Sequence, residues 1–307
     1  MKKKLIGFIN FNKQVLHEYF ADNVIKYSAS LAYYTTLSLA PMLVIIIAIS
    51  GFLFGKEAME GGVYNQINGL VGKEAAIQVQ EMIKKVHLDR DSPIAGTISL
   101  IVLIISATGI FGEVQDSLNK IWGLKTTNKK IWWKIILNRL LSFSLIISLG
   151  FVMMVSLVLY AFVGVLSERF NGLMAGVGDS LLPFVNQLLS VGISTVLFAA
   201  IFKILPDAKI KWKDVFIGAF ITSLLFTAGK YLIGNYIGNG TVTSVYGAAG
   251  SVIIIMIWVY YSSAILYLGA VFTKVYAVNF GGKIYPNAYA SWIKPLEVEM
   301  PNAVLNG

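Results

Sequence analysis

The sequence predicts an all-α integral membrane protein: a bundle of six transmembrane helices, preceded by an amphipathic N-terminal helix and carrying a helical exterior segment between the first two crossings. Three observations predict it. Of 307 residues 56% are hydrophobic and only 13% charged, too few polar groups to clothe a water-soluble globule. From Tyr231 to Thr273 the chain has no charged side chain at all. Apolar runs recur at the length that a hydrocarbon core of about 30 Å requires of a helix rising about 1.5 Å per residue. With no cysteine there are no disulfides or thiolate metal sites, and two histidines, His17 and His87, are too few for a histidine metal cluster.

The elements follow in order. Residues 1–27 form a cytoplasmic N-terminal segment in which Val15, Leu16, Tyr19, Phe20 and Val24 recur at helical spacing opposite Lys13, Glu18 and Asp22. Such a helix lies in the membrane interface or packs on the cytoplasmic ends of the bundle. The start resembles a signal peptide, but Asn10 and Asn12 interrupt it and no cleavage site follows, so it is expected to be retained. The membrane domain, 28–280, holds crossings at Tyr27–Gly55 (with Pro41 inside), Ser92–Gly112, Leu140–Ser167, Ser180–Phe202, Val215 to about Gly238, and about Gly247 to Thr273. The exterior segment 56–91 contains a helix with Val79, Met82, Ile83 and Val86 on one face. Residues 281–307 are a cytoplasmic tail.

Six crossings put both termini on one side. The N-terminal segment, the 113–139 and 203–214 loops and the C-terminal stretch from Lys274 onward together carry 18 of the 25 Lys and Arg residues, which assigns them to the cytoplasm. The net charge of +9 therefore reads as membrane orientation and attraction to anionic lipid, not as nucleic-acid binding. Lys129-Lys-Ile-Trp-Trp-Lys134 and Lys209-Ile-Lys-Trp-Lys213 each place indoles among lysines just before a crossing, a headgroup anchor.

Charge inside the membrane carries the functional signal. Lys230 falls in the outer half of the fifth crossing, either snorkelling to exterior headgroups or standing as a fixed positive charge in a cavity. Glu113 and Asp116 end the second crossing on the cytoplasmic side, too far in depth to pair easily with Lys230. Asn186 and Gln187 sit in the fourth crossing as interhelical hydrogen-bonders. With the polar face of the first crossing (Tyr33, Tyr34, Thr36, Ser38), the residues Glu113, Asp116, Asn186 and Lys230 form the expected lining of a conduit. Gly51–Gly55 and Gly234–Gly238 are small-xxx-small spacings of low specificity. No phosphate loop, nucleophile elbow or paired intramembrane aspartates occurs, and Gly176-Val-Gly-Asp179 reads as an exterior turn. No catalytic residue, metal ligand or cofactor is therefore expected.

Several segments, in order, resemble the YihY/BrkB family of bacterial inner-membrane proteins, once labelled ribonuclease BN. They are Asp22 with Leu31-Ala-Tyr-Tyr34 and Leu37-Ser-Leu-Ala-Pro41; Ala107 to Gly123; Leu205-Pro-Asp207 through Asp214 with Gly218-Ala219; then Tyr246-Gly247, Trp258-Val-Tyr260 and Gly269-Ala270. Val271 departs from the acid that members often carry there. The resemblance implies a six-helix inner-membrane protein that handles envelope amphiphiles. A transporter of an amphiphilic or anionic solute such as lipid is the leading expectation. A scaffold docking an exterior protein through 56–91 is the second, and a hydrolase or ribonuclease the third and least favoured. Membrane lipids, anionic ones included, are the expected partners, and the chain permits homo-oligomers.

Overall fold

In a computed structural model, residues 2–38, 77, 109–126, 178–238, 250–287 and 290–293 are described. The expectations for Pro41, the third crossing, the Lys129–Lys134 anchor, and all of segment 56–91 except the helical, exposed Ile77 lie outside these residues. The described chain is helical apart from four very short strands. Helix α1 is Lys2–Ala21, α2 covers 24–38 and α3 covers 109–121. Helix α4 is Gly178–Ile204, α5 is Trp212–Gly238 and α6 is Gly250–Asn279. Stretches of α4, α5 and α6, namely Phe184–Ile204, Trp212–Gly234 and Val252–Asn279, are long and apolar enough to cross a membrane. Helices α4 and α5 run two or three residues beyond the fourth and fifth expected crossings, and α6 carries the sixth six residues further, to Asn279.

Local chemistry sets the helix ends. Asn23, at φ 54°, breaks α1 from α2 in the left-handed conformation that asparagine tolerates better than most side chains. Gly178 and Asp179 belong to the first turn of α4 instead of a loop. Asp214, in the first turn of α5, complements the positive end of the helix dipole. At the end of α6 the amides of Gly281 and Lys283 close back onto the Ala277 carbonyl at 3.2 Å.

The α5–α6 pair packs antiparallel through a reciprocal device. A methyl added to Gly218 of α5 would overlap the Thr273 hydroxyl of α6, and one added to Gly269 of α6 would overlap Thr222 of α5. Each threonine donates to the carbonyl four residues earlier, Thr222 to Gly218 and Thr273 to Gly269, both at 2.7 Å. The hydroxyl is thereby satisfied within its own helix while the side chain seats on the facing glycine. These two glycines make the close approach at this seam. Between α4 and α5, Ser223 Oγ donates to the Val191 carbonyl at 2.8 Å, and Phe198, Phe226 and Trp258 form a ladder of edge-on rings across α4, α5 and α6.

The basic segments meet at one end of the bundle. Strand β1 (Leu124–Thr126) pairs antiparallel with β4 (Ala290–Trp292), and β2 (Ala208–Lys209) pairs with β3 (Tyr285–Pro286). Residues 285–286 and 290–292, expected as part of a plain tail, are therefore strapped to both basic loops. Backbone hydrogen bonds between such distant short segments leave no periodic signal in sequence. Helix α1 joins the same end: Phe11 packs edge-on against Phe272 at 5.2 Å, and Asn279 Nδ2 donates to Gln14 Oε1 at 3.0 Å. Of the two placements open to α1, the described contacts are those of packing on this end. Trp122, Leu118, Ile121, Phe202 and Val215 form the driest part of the core beneath it.

Candidate functional site

Two polar constellations lie in the bundle, on different seams. The first occupies the α2–α3–α6 junction. Antiparallel packing brings α2 against α3, with Tyr34 on Gly109 and the Lys120 ammonium 5.4 Å from the centre of the Tyr27 ring. Tyr27 in turn stands edge-on to Tyr267 of α6, centroids 6.4 Å apart. Glu113, Ser117 and Lys120 recur at i, i+4 and i+7 and so share one face of α3. Ser117 and Tyr267 are fully buried, and their hydroxyls neighbour each other across the α3–α6 contact. Glu113, half-buried, lies within electrostatic reach of both Tyr27 and Tyr267. Asp116, three residues on, is exposed.

The second constellation lies on the α4–α5 seam. Lys230 is half-buried and falls two helical turns after Ser223, on the face that meets α4. Tyr231 Oη donates to Gln187 Oε1 of α4 at 3.1 Å, while the Tyr261 hydroxyl of α6 rests on Gly229. Asn186 is exposed beside this pair. Lys230 stands about 24 Å along α5 from Asp214, so it is near the far end of the apolar stretch Trp212–Gly234. At the basic end of the same seam Lys203 donates to the Ile210 carbonyl and lies over Trp212, 5.4 Å from its ring centre.

The expected lining residues are thus divided. Tyr34 and Glu113 belong to the elements of the first junction, and Lys230 and Asn186 to those of the second. Tyr33 is exposed with its ring 5.9 Å from that of Tyr34, and Thr36 and Ser38 turn their hydroxyls back to the carbonyls of Ala32 (2.7 Å) and Thr35 (2.8 Å).

Three polar clusters at the basic end escape sequence reasoning. Asp207 accepts from Gln115 Nε2 (3.2 Å) and Asn119 Nδ2 (3.0 Å), and its own amide donates to Asn119 Oδ1 (2.8 Å). Asp214 accepts from the Gly282 amide at 2.9 Å, and a side chain on Gly281 would come within 2.6 Å of its carboxylate. Lys274 bridges Glu18 at 2.9 Å and Asp22 at 3.2 Å. Burial lifts the Asp22 carboxyl above the usual range against the pull of Lys274, and Glu18 adds to the rise. The available signal was only that Asp22, Asp207 and Asp214 fall inside the resembling motifs. Val271 is completely buried. An open groove of about 470 Å³ runs along α1, lined by Asn10, Lys13, Gln14, His17 and Glu18. Among the described residues no group of three or more His, Asp or Glu side chains is placed to hold a metal ion.

Apolar helices of crossing length with lysine and tryptophan gathered at one end define an α-helical membrane protein. Residues 15–289 match the family described as virulence factor BrkB, and the chain belongs to that family. It is 27% identical over 262 residues to a UPF0761 membrane protein of Tolumonas auensis, covering 82% of this chain and 80% of the relative. A UPF0761 membrane protein of Psychromonas ingrahamii is 28% identical over 259 residues, 81% of each chain. A longer one from Teredinibacter turnerae is 22% identical over 90% of this chain and 62% of its own length. No solved structure matches.

Proposed function

We propose that the protein conducts an anionic amphiphile, such as a lipid of the bacterial inner membrane, along the α4–α5 seam, with both termini in the cytoplasm. The observation that carries this reading is Lys230, a half-buried lysine in an otherwise charge-free stretch of α5. An ammonium at mid-bilayer costs about 2.5–3.5 kcal/mol, and nearer the edge it reaches headgroups by extending its stem. An anionic headgroup entering the seam meets a cationic group at this depth. The basic end of the seam carries Lys203, Lys209, Lys211 and Lys213 around Trp212, so cationic groups stand where each leaflet would present headgroups. The remaining expected lining, Asn186 with the Gln187–Tyr231 pair, offers neutral hydrogen bonds beside Lys230.

The test is transfer of fluorescent phosphatidylglycerol and phosphatidylcholine between the leaflets of vesicles containing the purified protein. The anionic probe should move faster, and Lys230→Met should slow it about fivefold, equivalent to the roughly 1 kcal/mol that one lysine contributes toward anionic lipid. Equal rates for wild type and Lys230→Met would remove Lys230 from the path. Rates no higher than in protein-free vesicles would remove the conduit.

A further inference from the structure

Helix α1 has three sides of different character. Successive residues of a helix turn by about 100°, so Ile9, Leu16 and Phe20 fall within about 40° of one another. All three are more than half exposed, at 55%, 54% and 63%. Phe11 and Val15, about 120–160° round the helix from that stripe, are buried against the bundle. Asn10, Gln14 and His17 make the third side, along the open groove. A helix packed on a bundle in water needs only an apolar and a polar side. The depth of α1 says what meets the extra one. It crosses the last two turns of α6, where Phe11 packs on Phe272 at 5.2 Å and Phe280 at 5.7 Å and Gln14 accepts from Asn279. The facing pairs Gly218–Thr273 and Thr222–Gly269 keep one register, which brings Trp212 of α5 level with Asn279. Trp212 is 53% exposed, with Lys209, Lys211 and Lys213 around it, the composition of a headgroup layer. The bare stripe of α1 therefore lies at headgroup depth, and the exposed Lys13 borders it. Val278 and Phe280, both exposed, carry apolar surface to the same level from the end of α6. Three side chains are far fewer than the roughly 20–30 residues a side of a stable protein interface.

We infer that α1 is half-embedded in the membrane surface at the basic end: Ile9, Leu16 and Phe20 enter the boundary between headgroups and acyl chains, Lys13 meets lipid phosphates, and the side with His17 faces water. The inference does not depend on the Lys230 reading, because α1 lies away from the α4–α5 seam.

Because the chain has no cysteine, Ile9→Cys, Leu16→Cys, Phe20→Cys and His17→Cys each take one spin label. The full-length protein in vesicles of phosphatidylethanolamine and phosphatidylglycerol is read for collisions with oxygen, which concentrates in lipid, and with a nickel chelate, which stays in water. Labels at Ile9→Cys, Leu16→Cys and Phe20→Cys should report depths of about 5–10 Å below the headgroups. The His17→Cys label should collide mainly with the nickel chelate. All four positions are exposed and tolerate a label, and three separate sites on the stripe keep the result from resting on one variant. Nickel collisions dominating at the three stripe sites would overturn the inference. So would spin–spin broadening there that disappears on dilution with unlabelled protein, because a second copy of the chain would then cover the stripe.

Discussion

Lys274 shows how one residue holds two elements together. Its ammonium answers Glu18 and Asp22 on the α1–α2 turn, and all three side chains are only about a quarter exposed, at 23–26%. Removing the cation leaves two adjacent carboxylates without it, so Lys274→Met should cost about 1–3 kcal/mol, between the values for exposed and buried pairs. Adding Asp22→Asn should recover part of the loss in equilibrium unfolding. Asp22 also predicts a pH dependence. Its folded pKa is raised above the unfolded value of about 3.9, so the folded chain holds the proton longer. The stability gained from this is full below the unfolded value and is lost as pH rises through the folded one. Wild type should therefore lose stability relative to Asp22→Asn on going up through that window. A difference that moves the other way would refute the assignment. Sequence marked Asp22 as part of a motif, but Glu113 and Asp116 could not be told apart until α3 was packed. Three residues on a helix turn one half-buried and its neighbour out to solvent.

For the helices, the decisive contact is the α5–α6 seam. Gly218 and Gly269 each face a threonine of the other helix with no room for a methyl group. Gly218→Ala or Gly269→Ala should destabilise the protein by about 1–3 kcal/mol or more, the usual cost of overpacking. Pairing Gly218→Ala with Thr273→Gly should return a large part of it in a double-mutant cycle. Additive losses would show that the two positions do not share a contact. The extents of α4, α5 and α6 were legible because a run of apolar residues states its own length. The glycines that matter were not, since many small residues occur at four-residue spacing and only the facing helix selects among them.

Across the whole molecule, the N-terminal helix, the loops at 124–126 and 208–209 and residues 285–286 and 290–292 converge on one end. That convergence makes the sidedness testable at a single position. Because the chain has no cysteine, Ser291→Cys gives a label without background. An impermeant maleimide should reach it only after the inner membrane is opened, and labelling in intact cells would reverse the proposed orientation. Lys125→Cys with Ser291→Cys should cross-link within one chain, since these residues are partners in the β1–β4 register. The sequence alone determined that a bilayer is this protein's solvent, where α4, α5 and α6 run and which segments are basic, because hydropathy and charge are sums over neighbouring residues. Tertiary structure decided which polar groups meet. Asn119 and Asp207 lie 88 positions apart and Asp22 and Lys274 lie 252 apart. No local pattern encodes such pairs; they exist only once helix packing has brought the ends of the bundle together.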